Sequence, residues 1–204
     1  MKIDKKKFIY LISPNKINFH FYRNLKEVLS TRKISFFQMR LKKYSIKHKI
    51  LIGKKIKPIC KKNNVKFLVN DDPMLAKKLN ADGCHLGQKD TSIVKTKKII
   101  KNKIIGITCH NSIKLAKTAI KNKATYLAFG AFFSTKTKKI KHKATTSILN
   151  KVKKLTNTPL VAIGGINDKN YKKLLLNNAN FLAISGYVWN NKKYKPIDAI
   201  KRLK

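Results

Sequence analysis

Four of the eight carboxylates in a 204-residue chain that carries 49 Lys plus Arg fall between positions 71 and 90. Asp71, Asp72, Asp82 and Asp90 sit in the stretch VNDDPMLAKKLNADGCHLGQKD. Scattered over a surface, so few acids would pair loosely with Lys and do little. Gathered at one place, two or three of their oxygens form the ligand set that a hard divalent cation needs. The natural companion of such a cation is a phosphate, which the surrounding Lys and Arg also attract. The pattern reads as a metal–diphosphate site.

Other chemistry-bearing residues recur just after short apolar runs. Gln38-Met39-Arg40-Leu41-Lys42 puts Gln38 and Arg40 on one side of an extended segment, so one can hydrogen-bond a heterocycle while the other meets a phosphate. Asn70 precedes the acids, and His85, Gly87 and Gln88 lie among them. Thr108 and His110 follow the run IIGIT. The segment Gly130–Lys138, GAFFSTKTK, offers hydroxyls and ammonium groups suited to an anion. Gly164-Gly165-Ile166 and Ser185-Gly186 close two later runs, where glycine lets backbone N–H groups approach a phosphate. Singly, each has a plainer explanation. QMRLK can be an ordinary strand end, STKTK a loop, GGI a turn and His85 a satisfied structural histidine. Their placement after successive runs is what the plainer explanations leave out.

The runs themselves predict the elements. Phe8–Ser13, Ser35–Arg40, Lys66–Asn70, Gly83–Leu86, Ile104–Thr108, Tyr126–Gly130, Leu160–Ile163 and Phe181–Ser185 are short, continuous and rich in branched and aromatic residues. Such runs suit strands buried on both faces of a parallel sheet. Between them lie Lys-rich segments of helical period. In Asn111–Lys123, for example, Ile113, Leu115, Ala116, Ala119 and Ile120 form a stripe. Asp168–Asn178 and Thr145–Thr156 behave alike. Eight strands alternating with helices predict an α/β fold, a (β/α)₈ TIM barrel near the lower size limit of that architecture. No linker divides the chain, so residues 1–204 are expected to form a single domain, with a doubly wound open sheet as the structural alternative. A barrel builds its active site at the C-terminal ends of its strands, where the polar residues fall.

Composition narrows the function. Hydrophobic residues make up 43% of the chain, ample for a core. No apolar run approaches a membrane span, and the N-terminal run stops at Pro14, short of a signal-peptide core. Cys60, Cys84 and Cys109 lack metal-site spacing and read as small buried hydrophobes in a reducing cytoplasm. The net charge of +41 raises nucleic acid as a partner. The positives, however, are spread end to end and are nearly all Lys, with Arg only at 23, 32, 40 and 202. Base reading and bidentate phosphate clamps favour Arg. The charge therefore reads as compositional drift on a solvated surface, with non-specific polyanion binding as its side effect. No pattern bears on oligomeric state.

The motifs QMRLK, ND at 70–71, ADGCHLGQKD, GIT at 106–108, GAFFSTKTK, VAIGGI and Ile184–Gly186 together resemble the thiamine-phosphate synthase family, in order, from about residue 8 to residue 189. The resemblance implies a (β/α)₈ transferase. Its substrates would be the diphosphate of 4-amino-5-hydroxymethyl-2-methylpyrimidine and a thiazole phosphate or its carboxylated form. By position, Gln38, Arg40, Lys42, Asn70, Thr108 and Lys138 would contact the pyrimidine diphosphate, with Arg40, Lys42 and Lys138 the catalytic cations. Asp71 and Asp90 would hold Mg²⁺. Thr135, Lys136, Thr137, Gly165, Ser185 and Gly186 would surround the thiazole phosphate. The chain departs from the family pattern at Thr108 (commonly Ser), Ala131 (frequently Pro) and Leu41 (often acidic). Asp72 is an additional carboxylate, read as a helix N-terminal charge. Two alternatives are a thiazole tautomerase on the same fold, which would need His110 for acid–base work, and a basic nucleic-acid-binding barrel.

Overall fold

Each of the eight apolar runs is a strand in the computed structural model, which describes residues 7–135 and 142–204. The strands are β1 (Ile9–Ile12), β2 (Ile34–Met39), β3 (Lys66–Asn70), β4 (Gly83–Leu86), β5 (Ile104–His110), β6 (Tyr126–Gly130), β7 (Leu160–Ile163) and β8 (Phe181–Ile184). Helices α1 (Phe21–Ser30), α2 (Ile46–Lys62), α3 (Pro73–Lys78), α4 (Ile93–Ile100), α5 (Ile113–Lys121), α6 (Thr146–Lys153) and α7 (Tyr171–Leu176) alternate with them, and α8 (Gly186–Trp189) and α9 (Pro196–Lys201) follow. Every strand pairs in parallel with the next, and β8 returns to β1, giving a closed barrel in sequence order. The open-sheet alternative is thereby set aside. Ser185 and Trp189 fasten the seam, Ser185 Oγ donating to the Ser13 carbonyl (3.1 Å) and Trp189 Nε1 to that of Ile12 (2.7 Å).

Helix starts are written in the sequence. Ser45, Ser92 and Ser112 each accept a backbone N–H from three residues on, at α2, α4 and α5, satisfying a donor that the helix leaves open. The stripe expected in α5 faces inward: Ala116 and Ala119 are buried, and Ile113, Leu115 and Ile120 pack against the core. Two expected helices are shorter than their periodicity suggested. Residues 167–170 are held as a turn, Asn167 accepting from Lys169 N–H and Asn170 from Asn167 N–H, so α7 starts only at Tyr171. Thr156 and Thr158 bond to each other beyond the end of α6. In the opposite sense, β5 runs past Thr108 to His110, with a register shift against β6.

Apolar residues pack in two places. The larger cluster lies between sheet and helices. The smaller one fills the barrel lumen with Tyr10, Ile12, Phe36, Leu68, Tyr126, Ala128, Val161, Phe181 and Ala183, which keep to the alternate positions of their strands. Phe36 meets Phe181 edge to face at 4.9 Å and Tyr10 meets Tyr126 at 5.7 Å. Gly106 on β5 makes room for this packing, since a Cβ there would strike the Tyr126 ring. Among the described residues no helix is long and apolar enough to cross a membrane.

Candidate active site

Three charged groups meet where β2, β3 and β4 end. The Lys42 ammonium lies 2.9 Å from Asp71 Oδ2. Asp71 stands just beyond β3 in the left-handed region, at φ +65°, with its N–H on the His85 carbonyl at 2.7 Å. That link fixes the bend that turns its carboxylate toward the mouth. Asp90 is held by the turn after β4, where its Oδ2 accepts the Gly87 N–H at 2.7 Å, and its carboxyl meets that of Asp71. Burial works to raise both pKa values. Lys42 overcomes it at Asp71, which lies below the ordinary carboxylate value, whereas Asp90 is raised, with the adjacent Asp71 adding to the effect of burial. Two touching carboxylates repel unless a cation or proton sits between them. Among the described residues no third His, Cys, Asp or Glu completes a metal cage. The pair suits an ion such as Mg²⁺, which takes one or two carboxylates and fills its shell with water and substrate phosphate.

Arg40 follows β2. Its N–H donates to Ser13 Oγ (2.9 Å) and its Nη1 to Asn15 Oδ1 (3.2 Å), so the loop after β1 aims it. Burial lowers its pKa, with Asp71 opposing. A cavity of about 220 Å³ opens next to Lys42 and Asp71, lined also by Asn70, Asp72 and Lys49 and by the apolar Met39, Leu41, Val69 and Leu75. Lys49, on α2, was not singled out by the sequence, where nothing separates it from forty-odd other cations.

Gln38 points into the lumen and is 2% exposed. Its Nε2 donates to Tyr10 Oη (2.7 Å), which lies 2.8 Å from Tyr126 Oη. Tyr126 Oη is 2.8 Å from His85 Nδ1, and His85 Nε2 is 2.9 Å from Thr108 Oγ1. Burial drives the His85 pKa down to about 4, leaving the ring neutral at neutral pH, and holds both tyrosines above their ordinary value. Gln88 Nε2 donates to the Thr108 carbonyl (2.5 Å). His85 is thus a satisfied histidine, as its plainer reading held, yet it touches a candidate ligand of the diphosphate. The tyrosines were missed because an aromatic residue inside an apolar run looks like strand packing. The available signal was the inward phase that Tyr10 shares with Ile12, and Tyr126 with Ala128.

On the far side, the loop after β6 is laced to β7: Phe132 N–H donates to the Ile163 carbonyl and Phe133 N–H to that of Gly164, both at 3.1 Å. Gly165, at φ +63°, lies so close to the Ser134 carbonyl that a Cβ would strike it. This brings the segment leading to Thr135 alongside Gly165. Lys136, Thr137 and Lys138 lie outside the described residues. Ser185 directs its hydroxyl to Ser13, and Gly186 opens α8. His110 ends β5 at φ +54°, its ring 4.3 Å from that of His142.

The four clustered acids do not stay together. Asp71 and Asp90 meet at the rim. Asp72 caps α3, accepting the Leu75 N–H at 2.9 Å, as expected of a helix N-terminal charge. Asp82 precedes β4 at the opposite end of the barrel, where it accepts the Phe67 N–H (2.8 Å) beside Lys66. It drops out of the expected metal–diphosphate group because a strand separates it from Asp90.

A closed parallel barrel whose C-terminal rim gathers cations, a carboxylate pair and hydroxyls defines a (β/α)₈-barrel enzyme. The sequence matches the family model for thiamine monophosphate synthase over residues 9–188. It is 68% identical to the thiamine-phosphate synthase of Pelagibacter ubique over 200 residues, covering 98% of this chain and 97% of that protein. With the enzyme of the same name from Erythrobacter litoralis, identity is 37% over 196 residues, covering 94% and 92%. The solved thiamine phosphate pyrophosphorylase of Pyrococcus furiosus superposes with a TM-score of 0.85 at 28% identity, covering 98% of this chain and 94% of that one. The chain belongs to the thiamine monophosphate synthase family.

Proposed function

We propose that this chain joins the diphosphate of 4-amino-5-hydroxymethyl-2-methylpyrimidine to a thiazole phosphate, releasing diphosphate and forming thiamine phosphate. The carboxylated thiazole would lose carbon dioxide in the same reaction. The observation that carries this reading is the contact of Lys42, Asp71 and Asp90 at a mouth that also holds Arg40, Gln38 and Thr108. Residues 1–204 act as one catalytic domain in the cytoplasm, a location supported by three buried cysteines left as free thiols. Small phosphorylated molecules, rather than nucleic acid, are its partners.

In the reaction the bond between the pyrimidine methylene and the diphosphate oxygen breaks, and both electrons leave with diphosphate. The ring's amino group donates into the electron-poor methylene, and the thiazole nitrogen then attacks that carbon. Asp71 and Asp90 would hold Mg²⁺, which when bound offsets the charge building on the leaving diphosphate. Arg40 and Lys42, with Lys138, supply fixed cations for the same charge. Thr108 adds a hydroxyl, while Gln38 and Asn70 orient the pyrimidine. Thr135, Lys136, Thr137, Gly165, Ser185 and Gly186 anchor the thiazole phosphate, which keeps the attacking nitrogen in line. No protein nucleophile takes part.

The test is coupling by the purified chain with Mg²⁺ or with EDTA, read as thiochrome fluorescence after phosphatase treatment and oxidation. Product is expected only with Mg²⁺, and Asp90→Ala should lose at least about 10²-fold in rate. A folded sample that makes no product would sink the reading.

A further inference from the structure

The buried hydrogen bonds from Gln38 to Thr108 have a direction, and counting protons limits it to two choices. Each tyrosine hydroxyl carries one proton, and a neutral imidazole carries one N–H. Four contacts must share them. In the first arrangement Gln38 N–H donates to Tyr10, Tyr10 to Tyr126, Tyr126 to His85 Nδ1, and His85 Nε2–H to Thr108. The Thr108 proton is then free for a group above it, and the other end of the Gln38 amide is its carbonyl oxygen. In the second, Thr108 donates to His85 Nε2 and every bond reverses, so Gln38 offers NH₂ instead. Any mixture leaves one buried contact without a proton or one buried tyrosine O–H without an acceptor, which costs free energy either way. The amide orientation seen here, Nε2 toward Tyr10, belongs to the first arrangement.

We propose that Tyr10 and Tyr126 are positioning residues that let the two ends of this chain read one substrate together. A phosphate oxygen can only accept, so its contact with Thr108 selects the first arrangement and presents the Gln38 carbonyl oxygen. An exocyclic amino group on the heterocycle is then accepted and an oxo group refused. The inference rests on the function proposed above, which supplies an aminopyrimidine diphosphate as the ligand. Packing holds the chain in place. The Tyr10 and Tyr126 rings cross at 84°, His85 stacks on Tyr126 at 12°, and both tyrosines are essentially without solvent contact. With both tyrosine side chains shut off from solvent, the setting of one end is passed to the other.

The test compares kcat/KM for the 4-amino pyrimidine diphosphate with that for its 4-oxo analogue. In Tyr126→Phe the chain is cut, and the amino-to-oxo preference should fall by about tenfold or more. Thr108→Ala should lower the same ratio, and the double variant should lower it no further than either single one. Tyr10→Phe cuts the chain elsewhere and serves if Tyr126→Phe fails to fold. A ratio unchanged in a folded, active tyrosine variant would overturn the proposal, as would additive effects in the double variant. A second reading needs no turnover. Imidazole ¹⁵N spectra with inorganic diphosphate and Mg²⁺, the signal assigned by its loss in His85→Gln, should show His85 protonated at Nε2. Protonation at Nδ1 overturns the proposal. A folded chain without coupling activity would remove the function proposed above, while these spectra still report the direction of the chain.

Discussion

At the scale of single residues, Lys42 has two possible partners at the mouth of the barrel. Alone, its ammonium neutralises Asp71 at 2.9 Å. On the function proposed above, a divalent ion at the Asp71–Asp90 pair would leave the same ammonium free to turn to the diphosphate. Lys42→Ala is therefore expected to lower kcat/KM for coupling by about 10²–10³, a loss that steady-state kinetics would show. Asp71 and Asp90 were legible in the sequence because acids are so rare in it. Asp82 lies in the same acidic stretch but does not join them. Eight residues along the chain from Asp90 include a whole strand, and the strand carries Asp82 to the opposite face. Tyr10 and Tyr126 were illegible for a different reason: only strand phase and the closed lumen show that their hydroxyls meet.

Among the elements, the strands were read closely because parallel strands buried on both faces leave uninterrupted apolar runs. Helix ends were read less well, since side-chain bonds at Asn167 and Asn170 hold residues 167–170 as a turn and put off the start of α7 to Tyr171. Where such a bond is a helix cap, it can be removed cleanly. Asp72→Ala deletes the cap of α3 and should cost about 1 kcal/mol in urea unfolding, with a smaller loss of coupling than Asp71→Ala. A second polar clasp joins α9 to the loop before α7, where Arg202 Nε lies 2.6 Å from Asp168 Oδ2. The bond to Arg202 holds the Asp168 pKa below its ordinary value. A lowered carboxylate stabilises the fold above the unfolded value of about 3.9 and loses that contribution as pH falls through the lowered one. Asp168→Asn should accordingly melt earlier than the parent at neutral pH, and the two melting curves should converge in strong acid.

For the whole molecule, the net charge of +41 opposes compaction everywhere at once. Screening it should raise the melting temperature by several degrees between about 50 mM and about 500 mM NaCl, the reverse of what a fold held by surface ion pairs would show. Adventitious binding to polyanions should disappear over the same range. Added salt also removes the repulsion that keeps separate molecules apart, and a protein depending on charge alone to stay dispersed would then begin to precipitate. Here the β8-to-β1 pairing has a consequence of its own. A sheet that ends on itself offers no unpaired edge for another chain's strand to extend. Protection against strand-by-strand aggregation is therefore built into the connectivity and is untouched by ionic strength. Such a lineage can drift in surface composition without losing that safeguard.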